Sequence, residues 1–158
     1  MNIDTAWLEE HVFHHALTGA EQRTLRDFVE VHHYVKGESL IVEQSIVNGL
    51  LVLKEGSVAL RHEQHGQKVQ IARLEAGVQL GDMSLFGGGC ASATVVALTD
   101  CVVYQLPQSA LQYMMQYRQN MVQDIMRNSI RNLSAALRHM NDHQAYALQY
   151  MQGVHAPC

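Results

Sequence analysis

Ten histidines in 158 residues are the first groups in this chain that could do chemistry. His11 and His15 stand four apart, and so do His139 and His143. On a helix that spacing sets two imidazoles on one face, where they could share a metal. Neither pair has a Cys, Asp or Glu at the usual spacing of a third ligand, and no H-E-x-x-H run occurs. Solvated or half-buried imidazole is the plainer reading. His32-His33, at the start of a strand, should put one ring inward and one outward. The run Gly87-Gly88-Gly89 could make a backbone nest for an anion. No Lys or Arg flanks it, so a loop tip that turns without strain is favoured. Met114, Met115, Met121 and Met126 could mark an adaptable binding surface, but their helical spacing reads as core and dimer packing. No nucleophile elbow, P-loop or dinucleotide fingerprint is present. The chain is therefore expected not to be an enzyme.

Composition narrows the class further. Hydrophobic residues make up 47% and charged residues 16%, an ordinary globular balance. The formal charge is -4, and the Lys and Arg residues are scattered. That argues against nucleic acid as the main partner, because neutralising phosphates needs clustered cations. No apolar run approaches the roughly 20 residues of a membrane span, so no membrane insertion is expected. Met1-Asn2-Ile3-Asp4 lacks the basic start and apolar stretch of a signal peptide. Cys90, Cys101 and Cys158 are an odd, sparse set, unlike a secreted disulfide framework. The expected compartment is the reducing cytoplasm, with Cys158 an inert tail thiol.

Three regions must position these groups. Residues 1–30 read as helical, and Thr18-x-x-Glu21 is a capping-box pattern with Leu25, Phe28 and Val29 on one face behind it. Residues 31–106 change period. Short aliphatic runs at 33–35, 39–42, 49–53, 57–62, 68–74, 93–97 and 101–106 are cut by glycines, the mark of an all-β roll or barrel. Pro107 closes that region and suits a first helical turn. Residues 107–152 return to helical spacing, and 153–158 form a tail. Met126, Ile130, Leu133, Leu137, Met140, Ala147 and Met151 fall on a heptad seam, with Gln144 as its polar member. A helix over 118–152 would be about 52 Å long. Its exposed part needs a partner, so a parallel homodimer is expected.

Several stretches together resemble a known family. They are Tyr34-x-Lys36-Gly37-Glu38, Leu51-Val52-Leu53-x-Glu55-Gly56-Ser57-Val58, Leu74-x-x-Gly77-x-x-x-Gly81-Asp82-Met83-Ser84-Leu85-Phe86 and Ala93-Thr94-Val95-x-Ala97. In this order they resemble the cyclic-nucleotide-binding domain of the catabolite-activator (cAMP receptor protein) superfamily, over about residues 13–140. The resemblance implies a mainly β fold with flanking helices: a β-roll of the double-stranded β-helix or jelly-roll type, then a long C-terminal helix. It implies that residues 80–97 correspond to the phosphate-binding cassette, with Gly81, Asp82, Met83, Ser84, Ala91, Ser92 and Ala93 as its contacts. Asp82 stands at the ribose-binding Glu position, one methylene shorter. Ala91 stands where an Arg would pair with the phosphate, and Ser92 at a position that often binds phosphate. Leu60, Ile71 and Ala72 match the base pocket. Ala136 and Leu137 match positions where the activator branch sets hydroxyls against the purine.

The implied function is a regulatory sensor module that signals through an unidentified protein partner. A cyclic nucleotide or another small anionic ligand is the candidate cofactor, though none is certain. The family's helix-turn-helix would follow the long helix, and only residues 153–158 remain there, so no direct DNA binding is expected. A ligand-free dimerisation module stays open as an alternative. So does a haem or metal sensor, because haem-binding relatives exist in this superfamily. The iron–sulfur branch uses an N-terminal cysteine cluster, which this N-terminus lacks.

Overall fold

The computed structural model describes residues 2–140. Gln144, Ala147, Met151 and the segment 153–158 lie outside the described residues, as do the side chains of His139 and Met140. The chain opens with α1 (Thr5–Leu8), capped by the Asp4 side chain accepting from Trp7 N, and runs into a π-helical turn, Glu9–Phe13. His14 ends that turn in the left-handed region at φ 61. The expected capping box forms at α2 (Gly19–Phe28): the Thr18 side chain accepts from Glu21 N, and the Glu21 carboxylate reaches back to Thr18 N.

Eight strands follow among the described residues: β1 (Glu30–Tyr34), β2 (Ser39–Ile41), β3 (Gly49–Glu55), β4 (Ser57–Gln64), β5 (Gln67–Glu75), β6 (Gln79–Leu80), β7 (Thr94–Ala97) and β8 (Cys101–Pro107). They make two four-stranded antiparallel sheets, ordered β1-β8-β3-β6 and β2-β7-β4-β5. Helix α3 (Asp82–Gly87) interrupts the roll between β6 and β7. Helices α4 (Gln108–Tyr117) and α5 (Gln119–Met140) close the described chain. The break between them is Arg118, at φ −141 and ψ 48. Strand β6 has no counterpart in the sequence reading, because it is two residues long and one of them is polar.

Side-chain alternation shows why β3 and β8 read as continuous apolar runs. Leu50 and Val52 of β3, with Tyr104 and Leu106 of β8, face a helical layer of Leu8, Val12, Phe13, Leu25, Met114, Met121 and Ile125. Leu51 and Leu53, with Cys101 and Val103, face the interior between the sheets, among Ile41, Val58, Leu80, Val95 and Ala97. Both faces of these strands are buried, so no polar alternation survives. Each of the fully buried leucines and valines contributes about 1.5–3 kcal/mol through desolvation. Met114 and Met121 are wholly buried in the helical layer, so they are core rather than seam.

The turn from β3 to β4 depends on Gly56. Its φ is +96, and a Cβ there would sit 2.6 Å from Asp100 O and 2.7 Å from Cys101 Sγ. The Asp100 carbonyl is backbone at the entry to β8 and cannot retreat without disturbing the β3–β8 ladder. Gly56→Ala should therefore cost about 2–4 kcal/mol, read as a lower urea midpoint with an unchanged slope.

Candidate ligand cassette and its contact with the C-terminal helix

The cassette begins with a tight corner. Gly81 sits at φ 80, and a Cβ on it would meet Val47 Cγ1 at 2.7 Å and Gly49 O at 3.2 Å. That corner turns the chain out of β6 into α3. The helix ends when Gly88, at φ 78, donates from its N–H to Ser84 O. The space around a Cβ at Gly87 or Gly88 is open, as a loop tip requires. The Ser84 hydroxyl turns back and donates to Cys90 O at 3.1 Å.

The descending limb is zipped onto the loop between β2 and β3. Ala91 N donates to Ser45 O at 2.9 Å, and Gln44 N donates to Ala91 O at 2.8 Å. Glu43 N donates to the Thr94 hydroxyl at 2.9 Å. Both backbone groups of Ala91 are thus in use. Its side chain, 4% exposed, is part of the apolar cluster of Leu51, Leu53, Val58 and Leu80. Ala93 is also buried, while Ser92 and Met83 are half-buried.

The strands place the expected base-pocket residues beside this limb. Leu60 of β4 pairs with Val95 of β7 on one side and with Ala72 of β5 on the other. Arg61 then pairs with Gln70, which leaves Ile71 as the extra residue of a β-bulge. A bulge re-aims one side chain relative to the strand pleat, which is how neighbouring Ile71 and Ala72 escape strict alternation. Ala136 is half-buried and Leu137 is 38% exposed on the last described turns of α5.

Asp82 opens α3, beside Ser129 of α5 and Gln79 of β6. Its Oδ1 accepts from Met83 N at 2.9 Å, while the Ser129 hydroxyl donates to Ile125 O at 3.1 Å on its own helix. Burial pushes this carboxyl above the usual aspartate range, and its polar neighbours offset only part of the rise. Around it lies a network that sequence reasoning missed. Asn128 Nδ2 donates to Gln79 Oε1 at 2.6 Å, and Gln79 Nε2 donates to Ser129 Oγ at 2.8 Å. His14 Nε2 lies 2.8 Å from Asn128 Oδ1. Gln79 is 5% and Asn128 3% exposed, so these amides need each other. The available signal was a polar residue on a core stripe: Asn128 continues the inward face of Met121 and Ile125.

Of the two histidine pairs read from the sequence, His143 lies outside the described residues, and His11 and His15 do not converge. His11 stacks on Trp7 at 4.3 Å, whereas His15 Nε2 lies 2.6 Å from Asp124 Oδ2 on α5. The bond to Asp124 raises the His15 pKa. His32 is half-buried beside Glu30 and His33 is exposed, so the two rings differ in burial. Their neighbours Val31 and Tyr34 pack against the two core clusters. Among the described residues no three His, Cys, Asp or Glu side chains come together as a metal site would require.

A two-sheet roll, an inserted cassette helix and a closing pair of helices define a class, and the comparisons agree with it. The family model of the cyclic nucleotide-binding domain matches residues 31–118. The chain belongs to the cyclic nucleotide-binding domain family. It is similar to a cyclic nucleotide-binding domain from Methylobacillus flagellatus KT, with 23% identity and a TM-score of 0.77 over 90% of this chain and 84% of that one. It is also similar to the catabolite activator protein of Thermus thermophilus, with 22% identity and a TM-score of 0.67 over 82% of this chain and 61% of that one. The third is the regulatory subunit of a cAMP-independent protein kinase A from Trypanosoma brucei, a mutant bound to cAMP. There the identity is 19% and the TM-score 0.66, over 94% of this chain and 48% of that one. This chain thus spans about three fifths of the Thermus protein. No curated protein matches it. Among the described residues, no helix is long and apolar enough to cross a membrane.

The raised Asp82 pKa carries a pH signature. The folded state holds this proton more tightly than the unfolded chain, so stability falls as pH rises from the ordinary aspartate value through the raised one. Asp82→Asn keeps an acceptor oxygen without the buried charge. It should be more stable than the parent at pH 7, and the advantage should shrink in urea titrations as pH is lowered below 4.

Proposed function

We propose that this chain is a non-catalytic regulatory module with an atypical cassette, at which cyclic AMP binds weakly, and that it signals through protein contacts as a homodimer. The carrying observation is Ala91. Its side chain is packed into the apolar cluster, and its N–H and C=O are already bonded to the loop at residues 44–45. An arginine at that position would offer a fork of charge-assisted bonds to a phosphate, and alanine offers none. Losing a charged partner from a desolvated phosphate costs about 2–5 kcal/mol, or about thirtyfold to several thousandfold in affinity. What remains for a ligand is the wall of Leu60, Ile71 and Ala72, the half-buried Ser92, and the α3 corner at Gly81. The cAMP-independent Trypanosoma neighbour, seen with cAMP as a mutant, supports a fold that serves with or without that nucleotide.

The same observation favours a second reading, a ligand-free interaction module. Calorimetry with cyclic AMP separates the two. The parent should bind more weakly than low micromolar, and Ala91→Arg, once shown to be folded by circular dichroism, should bind tighter. Low-micromolar binding by the parent would overturn the atypical-cassette reading. A folded Ala91→Arg that gains nothing would favour the ligand-free module.

The dimer rests on α5. Met126, Ile130, Leu133 and Leu137 are 42%, 62%, 38% and 38% exposed, an apolar stripe at 4-3-4 spacing. A carboxylate in that stripe would have to be desolvated on association. Light scattering should show a dimer for the parent and a monomer for Leu133→Asp. A monomeric parent at micromolar concentration would rule the dimer out.

A further inference from the structure

We propose that His15 is a proton-dependent clamp: as an imidazolium it bridges the N-terminal corner to the second turn of helix α5, and it releases that turn as pH rises above the ordinary histidine range. The clamp goes beyond the proposed function and needs neither a ligand nor a dimer, because every member belongs to this chain.

Both ring nitrogens of His15 face acceptors. Nδ1 lies 2.9 Å from Ala16 O, and Nε2 lies 2.6 Å from Asp124 Oδ2. A carbonyl oxygen only accepts, and so does an ionised carboxylate. A neutral imidazole carries a single N–H, so one of these two contacts would set a nitrogen lone pair against an oxygen. The imidazolium donates to both. Asp124 is kept ionised by a second donor, because Arg127 Nη1 lies 3.0 Å from its Oδ1. His14, the neighbouring residue, differs. Its Nε2 lies 2.8 Å from Asn128 Oδ1, and one N–H serves that bond in either charge state.

The elements packed around His15 favour its cation. Asp124 and Arg127 come from α5, Glu21 from α2 and Glu9 from the π-helical turn. The three carboxylates outweigh the one guanidinium. The Phe13 ring meets the imidazole edge-on at 6.5 Å. The bond to Asp124, and after it the bond to Ala16 O, raise the His15 pKa, while desolvation takes back part of the rise. The Asp124 side chain is 11% exposed and depends on its partners, whereas that of His15 is 48% exposed and open to protons from solvent.

The position of the pair makes it a clamp on the helix. Val12, Phe13 and Leu17 flank the corner and share one core with Met121, Val122 and Ile125 of α5. On the rim of that core His15 grips Asp124, and His14 grips Asn128 one turn further on. Folding raises the proton affinity of His15. Its contribution to the seat of α5 is therefore complete below about pH 6.5, the ordinary histidine value, and is lost as pH rises through the raised one.

The test compares the full, ligand-free parent with His15→Gln, which keeps a donor but never a charge, by hydrogen exchange and mass spectrometry. Comparing the two chains at one pH cancels the intrinsic exchange rate. At pH 6, residues 121–129 should exchange about threefold faster in His15→Gln, and at pH 9 the difference should vanish. Nuclear magnetic resonance titration of the parent should place the His15 ring midpoint above the ordinary histidine value, and Asp124→Asn should bring it down. A difference in exchange that is the same at both pH values, or a His15 midpoint at or below the ordinary value, would overturn the clamp. If His15→Gln does not fold, the titrations of the parent and of Asp124→Asn decide alone. No arm involves a nucleotide, so the clamp and the atypical cassette can fail separately.

Discussion

A buried amide must be hydrogen-bonded, and Gln79 meets that demand across the boundary between roll and helix. Its strand is only two residues long, paired with β3 through Val52 and Leu51. Ladder bonds that few do not fix a strand strongly. The side chain of Gln79 does more: it accepts from Asn128 and donates to Ser129, both on α5. An apolar side chain there would have allowed α5 to slide or roll against the sheet at small cost. Two interlocked amides accept one register, because any shift strands their polar atoms. The cassette starts directly after this strand, so the direction of α3 follows from the seating of α5.

The cassette itself is held by two different kinds of force. Its outgoing limb is backbone-bonded to the loop at residues 43–45 and packed on apolar side chains. Its incoming corner is polar and includes a carboxyl whose burial raises its pKa. A phosphate needs positive charge or free N–H groups, and both backbone groups of Ala91 are already bonded to the loop. Further along, Arg61 of β4 stands opposite Thr94, and Glu43 Oε1 lies 2.6 Å from a His62 Nδ1 that makes no hydrogen bond of good geometry.

The fold was largely legible in the sequence because β-roll strands announce themselves by short apolar runs and by glycines that need positive φ. Gly37, Gly56, Gly66, Gly77 and Gly81 all adopt it. The capping box at Thr18 was legible for the same local reason. The break at Arg118 was not, since nothing in its neighbours forbids helix, and it is set by packing of Met114 and Met121 into one core. The buried amide network was hidden for a deeper reason. His14, Gln79 and Asn128 are far apart along the chain, and each alone looks like a solvated polar residue. Only their burial together gives them meaning.

Helix α5 consequently carries two faces with opposite chemistry. Ile125, Asn128 and Ser129 point at the roll, and Met126, Ile130 and Leu133 point away, about a third of the circumference round. The inner face is where polarity sets register, and the outer face is where apolar area is left over. This division suits a helix that must be both positioned and available. Polar seating fixes one geometry, because a shift would strand the buried amides of Gln79 and Asn128. The apolar stripe gains free energy from any surface that covers it, with little demand on register. A change that unseats the inner face would therefore rotate or lift the outer one, because both belong to one helix.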